Sequence, residues 1–184
     1  MFSPVKLLVI AACALAAIGC QTVPDTPQEQ TTLRQQADYT LEKARKQNAD
    51  VDAYVTSSIA YAVFPTVGKG GLVFAAGYGK GILYENGAMT GYCDATQLSV
   101  GALIGGQSCS ELVFIQTPEA LERFKSGNLA LDAEVSAIAM DQKAIREARY
   151  QDGVAVIFVD PMGLMAEASA GGQKFRYVPS DSVQ

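Results

Sequence analysis

Three kinds of residue in this chain could do chemistry: carboxylates, lysines set among glycines, and four cysteines. Histidine is absent, which removes Ser-His-Asp and Cys-His nucleophile systems, imidazole general bases and nearly all zinc enzyme sites. Carboxylate-only acid-base work would fall to Asp94, Glu111, Asp132, Glu134, Asp141 and Asp160. None of these stands at a spacing that demands a pair, and turns or helix caps account for Asp160 and Glu119. No catalytic residue, metal ligand or cofactor is therefore expected, and the chain reads as a non-enzyme. Gly68-Lys69-Gly70-Gly71 and Gly77-Tyr78-Gly79-Lys80-Gly81 place a lysine among glycines. Neither lysine is followed by Ser or Thr and neither run opens a helix, so the phosphate-loop and dinucleotide patterns both fail. The plainer account gives these glycines to turns, bulges and close strand approach. The sharper one has Lys69 and Lys80 meeting an anionic headgroup, with backbone amides of the bends helping to hold phosphate oxygens.

The cysteines sort by position. Lys6 and the apolar run Leu7 to Ile18 have the layout of a secretory signal peptide. The run is about twelve residues, where a spanning helix needs roughly twenty. Ala17-Ile18-Gly19-Cys20 resembles the bacterial lipobox, in which the cysteine is acylated and becomes the first mature residue, although Leu is favoured where Ala17 stands. The competing reading is an ordinary signal peptide with an incidental cysteine. Gln21 to Gln30 is polar, holds two prolines and lacks apolar periodicity, as a flexible tether would. Residues 1–19 thus read as a lipoprotein signal, 20–32 as the tether and 33–180 as one domain. Cys13 leaves with the signal. Cys93 and Cys109 stay, in a compartment that permits disulfides. Closing the loop between them would stabilise by about 3 kcal/mol in the chain-entropy model. A hairpin tip near Gly101 would make them face each other, a tip at Gly105-Gly106 would not, and two unrelated buried thiols are the alternative to a bond. With Lys6 gone, thirteen cations face nineteen carboxylates, so the charge moves from −5 to −6. Nucleic acid is not the expected partner.

The elements that must position these groups follow from periodicity. Leu33, Ala37, Leu41 and Ala44 recur at helical spacing and predict an amphipathic helix over Thr31–Asn48, basic in its last turns. It either packs on the domain or turns its basic edge to lipid, each cation near an anionic surface contributing about 1 kcal/mol. Short strands separated by glycine follow: 60–64 stopping at Pro65, then 71–78, 81–84, 97–104 and 111–116. Glu85-Asn86-Gly87-Ala88 is a strong turn signal. Thr117-Pro118-Glu119 opens a second helix, closed at Ser126-Gly127-Asn128. Val154–Val159 predicts a strand covered on both faces, Asp160-Pro161-Met162-Gly163 a turn, and 164–168 and 174–178 two more strands. The fold class is α+β: a mainly antiparallel, barrel-like sheet with an N-terminal amphipathic helix and one further helix.

Ala62-Val63-Phe64-Pro65, Val67-Gly68-Lys69-Gly70-Gly71, Tyr78-Gly79-Lys80-Gly81, Val100-Gly101, Gly105-Gly106-Gln107, Ala120-Leu121-Glu122-Arg123-Phe124 with Gly127-Asn128, and Gly163-Leu164-Met165-Ala166 together resemble the SYLF domain, in the family's order, over about Leu33 to Val178. The resemblance implies a lipid-binding or membrane-associated module. Eukaryotic relatives bind phosphoinositides with help from a basic segment at the domain's start, and some act on actin; in a bacterial envelope only binding of anionic phospholipid carries over. Arg34, Lys43, Arg45 and Lys46 fall in the matching helix and Lys69 in the matching glycine loop. Two departures stand out. Tyr92-Cys93-Asp94-Ala95 replaces an aromatic-Ser-x-Pro segment, and Glu167 stands where many relatives have glycine. The expected function is a lipid-anchored envelope protein binding anionic phospholipid or the membrane surface, with an assembly module that recruits an envelope protein as the alternative. Gln21, which is not aspartate, favours the outer membrane, facing the periplasm.

Overall fold

The computed structural model describes residues 22–132 and 150–183. The expected signal segment 1–19 and expected acylation site Cys20, and the acids Glu134 and Asp141 with the charged run 141–149, lie outside them. The order is α1 (Pro27–Gln47), α2 (Asp50–Ser57), β1 (Ala60–Gly71), β2 (Phe74–Glu85), β3 (Ala88–Ile115), α3 (Pro118–Lys125), β4 (Ala130–Asp132), β5 (Val154–Pro179) and a closing 3-10 turn at Ser180–Ser182. The α+β, barrel-like class stands: all pairings are antiparallel and the sheet curls into a half-barrel.

The curl comes from two very long strands that bend together. The first half of β3 pairs with β2, Phe74 opposite Val100 and Gly81 opposite Cys93. Its second half pairs with β1, Gly71 opposite Gly105 and Val63 opposite Leu112. Because β1 and β2 are themselves paired, β3 must double back between residues 100 and 105, enclosing their hairpin on both sides. β5 follows β3 through the same bend, from Ile115–Val154 to Gly91–Pro179. The short strands expected at 97–104 and 111–116, and at 154–159, 164–168 and 174–178, are thus segments of two continuous ones. The strand-breakers are absorbed locally. Pro65 sits in a register shift of β1, where its carbonyl accepts from Ser110 Oγ at 2.7 Å. Asp160, at φ 51°, lies in the shift between Ser110–Val159 and Ser108–Met162. A bulge costs one unpaired residue, where ending the strand would cost the remaining ladder.

Each face of the sheet carries its own core. On the concave face Phe64 reaches Phe175, ring centroids 5.8 Å apart although β2 and β3 run between their strands, and Phe124 of α3 stacks on Phe175 at 5.0 Å. Glycine on β2 makes that possible. A Cβ at Gly81 would stand 2.6 Å from the Phe64 ring and from the Val63 carbonyl. On the convex face α1 and α2 cover Tyr61, Val63, Ile82, Leu112, Phe114 and Ile157. Val154–Val159 is covered on both sides, as its composition predicts: Val154 and Val156 face one core, Ala155, Ile157 and Val159 the other.

The helices follow their end signals. α3 has the expected cap, Ala120 N–H donating to Thr117 Oγ1 at 3.2 Å, with Pro118 at its start and Gly127 at φ 74° after its end. α1 begins at Pro27, earlier than Thr31. Thr26 and Glu29 form a reciprocal capping box, so 27–32 is helical and not tether. α2 is an addition that the apolar periodicity does not predict. The Asn86-Gly87 turn between β2 and β3 has both residues at positive φ, 50° and 80°, the pair a type I′ turn requires.

Candidate functional site

The start of the described chain is bound to the convex face. Asp94 on β3 is fully buried there, held by Arg176 of β5 with Nε 3.1 Å from both oxygens and Nη2 3.0 Å from Oδ2. Its remaining acceptor capacity takes a short hydrogen bond from Thr22 Oγ1. Lys80, paired with Asp94 in the ladder, donates to the Val23 carbonyl at 3.3 Å, and Thr22 and Pro24 are buried. A buried carboxylate needs such partners, since an unpaired charge out of water costs several kcal/mol. Residues 22–26 are therefore a strap fastened to the sheet and not the free tether that their composition suggests.

The cations expected at a headgroup site do not gather into one patch. Lys43 pairs with Asp160 at 2.7 Å, Arg45 with Asp52 at 2.8 Å and Lys46 with Glu42 at 3.9 Å. Hydrogen bonding from Lys43, then Gln47, lowers the Asp160 carboxyl below its ordinary pKa. Arg34 is exposed on α1 and Lys80 lies under the strap. Lys69 belongs to the other face, since its neighbour Val67 points into the concave core and the two alternate with Gly68 along the strand.

Cys93 and Cys109 are free, so the expected bond is not formed here. The reason is topological. β3 does turn near Gly101, but the β1–β2 hairpin lies between its two halves, separating Cys93 opposite Gly81 from Cys109 opposite Val67. Both thiols sit above their ordinary pKa, Cys93 well above and Cys109 at about 12, chiefly through burial and with Glu111 adding to each. Neither is a thiolate nucleophile at neutral pH.

Two features escape the sequence reading. The first is the burial of Glu111, which sits on the concave side and receives Gln173 Nε2 on Oε1 at 2.6 Å, with Gln97 bonded to Gln173 at 3.2 Å. Burial pushes its carboxyl up to about 7, against the lowering effect of Gln173. A signal exists: Glu111 alternates with Val113 and Ile115, both core residues on that face. The second is an apolar patch at the bend end of the sheet. Leu72, Val73 and Phe74 at the β1–β2 tip are 64%, 61% and 71% exposed, with Leu98 at 63% and Val100 at 54% beside them. The run 71–78 reads as an ordinary strand, and nothing local reveals that its first residues form a tip.

Among the described residues no group of three or more His, Cys, Asp or Glu is placed to hold a metal, and no helix is long and apolar enough to cross a membrane. No family model matches the chain, and no curated protein is significantly similar to it.

Proposed function

We propose that this chain is a lipid-anchored protein of the bacterial envelope, on the periplasmic side of the outer membrane, whose SYLF-like domain binds anionic phospholipid. The observation that carries this reading is the junction of the Ala17-Ile18-Gly19-Cys20 motif with the strap. Two residues of chain span at most about 7 Å, and Thr22 is fastened to Asp94. Acyl chains on Cys20 would then hold the domain against the bilayer, and several such chains make attachment lasting where one would not. The reading gives the protein no catalytic step. Flotation of the unacylated chain with vesicles tests the headgroup part. Binding that rises when phosphatidylglycerol or cardiolipin is added to neutral lipid is expected, and flotation indifferent to anionic lipid overturns it.

One observation favours the assembly alternative: three of the four helix cations are ion-paired within the chain. In that case the acyl group alone holds the membrane and the domain recruits an envelope protein. Lys69→Glu with Lys80→Glu separates the two. Lost flotation supports lipid binding, while unchanged flotation with a lost crosslinked partner supports assembly.

A further inference from the structure

The apolar tip has a setting that narrows what can cover it. Phe74 and Val100 are ladder partners, as are Ala76 and Leu98, and these positions alternate along β2 and β3 with the ones that face the concave core. They therefore share the convex face with Lys80 and Asp94, where the strap is fastened. From Asp94 to Val100 the strand advances about 20 Å. One face of one strand pair thus links the start of the mature chain to the exposed apolar tip.

Charge is distributed just as unevenly. The chain holds 19 carboxylates, yet 66–83 and 95–110 contain none, and their only cations are Lys69 and Lys80. The facing run of β5, 161–173, adds one acid, Glu167, opposite Leu103. An exposed tip of Leu, Val and Phe whose flanking runs hold no carboxylate is compatible with an anionic bilayer. A protein partner would ordinarily be met by a polar rim around an apolar centre.

We propose that the Leu72-Val73-Phe74 tip, with Leu98 and Val100, inserts into the bilayer to which the chain is anchored. The proposal rests on the lipid-anchor reading for which membrane that is. Insertion is shallow. Backbone groups of the turn cannot go unpaired in hydrocarbon, so the side chains reach only the headgroup–acyl boundary, about 5–10 Å deep. The acyl chains and the tip then fix the sheet at two places, setting its angle to the membrane.

The chain has no tryptophan and no histidine, which makes the test direct. The chain from Gln21 onward carries an N-terminal polyhistidine tag in place of the acyl anchor and is held on vesicles containing a nickel-chelating lipid. Single indole reporters are Phe74→Trp, Leu98→Trp and, on α1, Tyr39→Trp at a residue 67% exposed. Replacing the vesicle lipid with acyl-brominated lipid is expected to quench the Phe74→Trp and Leu98→Trp variants and to leave the Tyr39→Trp variant unchanged. Two tip reporters guard against one that disturbs folding. Emission from both tip variants that is equal in the two lipids overturns the proposal. So does quenching confined to the α1 variant, which would mean helix-first docking. The tag delivers the chain whatever its headgroup affinity, so failure here is separate from failure of anion-dependent flotation. In untagged chain, Phe74→Ser is expected to weaken vesicle partitioning about tenfold.

Discussion

The two ends of the curled sheet are built from the same strands and obey different rules. At the end holding the Asn86-Gly87 turn, both faces are covered, by α1 and α2 outside and α3 inside, and the buried side chains are large: Phe64, Phe114, Phe124, Phe175. Toward the bend end the inner face carries Gln97 and Gln173, the strands are rich in glycine, and Leu72, Val73, Phe74, Leu98 and Val100 are exposed. One end buries its apolar surface and is stabilised by it. The other leaves that surface available for contact with something else.

The sharpest test of that contrast is a matched pair of truncations. Phe114 packs on Tyr54 at 5.3 Å and Tyr61 at 6.5 Å, and Phe114→Ala is expected to cost about 3–5 kcal/mol of unfolding free energy. Phe74→Ala at the tip should stay within about 0.5 kcal/mol. Denaturant melts of both decide it, and equal losses would mean the tip is part of the core.

Protonation of Glu111 gives the next effect. Its folded pKa, about 7, lies above the ordinary carboxylate value of 4.5, so between these pH values the folded state binds the extra proton. The contribution of Glu111 to stability is then fullest below pH 4.5 and falls as pH rises towards 7, by about 3 kcal/mol in all. Glu111→Gln should remove that part of the slope, measured as the difference between variant and parent melts at pH 5 and pH 8. Parallel curves would show that Glu111 is ionised throughout.

Glycine positions sharpen the comparison further. Gly81→Ala puts a Cβ 2.6 Å from the Val63 carbonyl and should cost about 1–3 kcal/mol. At Gly68 nothing lies within 4 Å, so Gly68→Ala should leave the midpoint of a thermal melt nearly unchanged. The cap of α1 gives a smaller loss than Gly81→Ala: Thr26→Ala loses the capping box and about 1 kcal/mol, seen as faster amide exchange in the first turn. An effect as large as that of Phe114→Ala would mean that the strap and helix unfold together with the sheet.

How much of this is legible in the sequence depends on the range of the cause. α3 is readable to the residue because Thr117, Pro118 and Gly127 act within one turn of chain. The Asn86-Gly87 turn is readable for the same reason. Pro65 and Asp160-Pro161 read as strand ends and are not, because whether a breaker ends a strand or bulges it depends on the neighbouring strands. The placing of Cys93 and Cys109 has a longer-range cause: 93–109 does turn back, but the β1–β2 hairpin lies between its two halves. The strap is hidden too. Thr22 looks like linker until Asp94 is buried beneath it.

The shared bend of β3 and β5 also governs the order in which the protein can be assembled. Hairpin β1–β2 closes on near neighbours, but β3 gains its outer edge only from β5, whose nearest pair is Ile115 with Val154 and whose farthest is Gly91 with Pro179. Pairings so remote along the chain are slow to form, on a scale of about milliseconds to seconds. On the proposed export route the polypeptide emerges from its amino end, and β3 waits with one side open until the segment from Val154 onward arrives. The carboxyl-terminal strand acts as the latch, and a stop codon before Val154 would leave an open edge that invites aggregation.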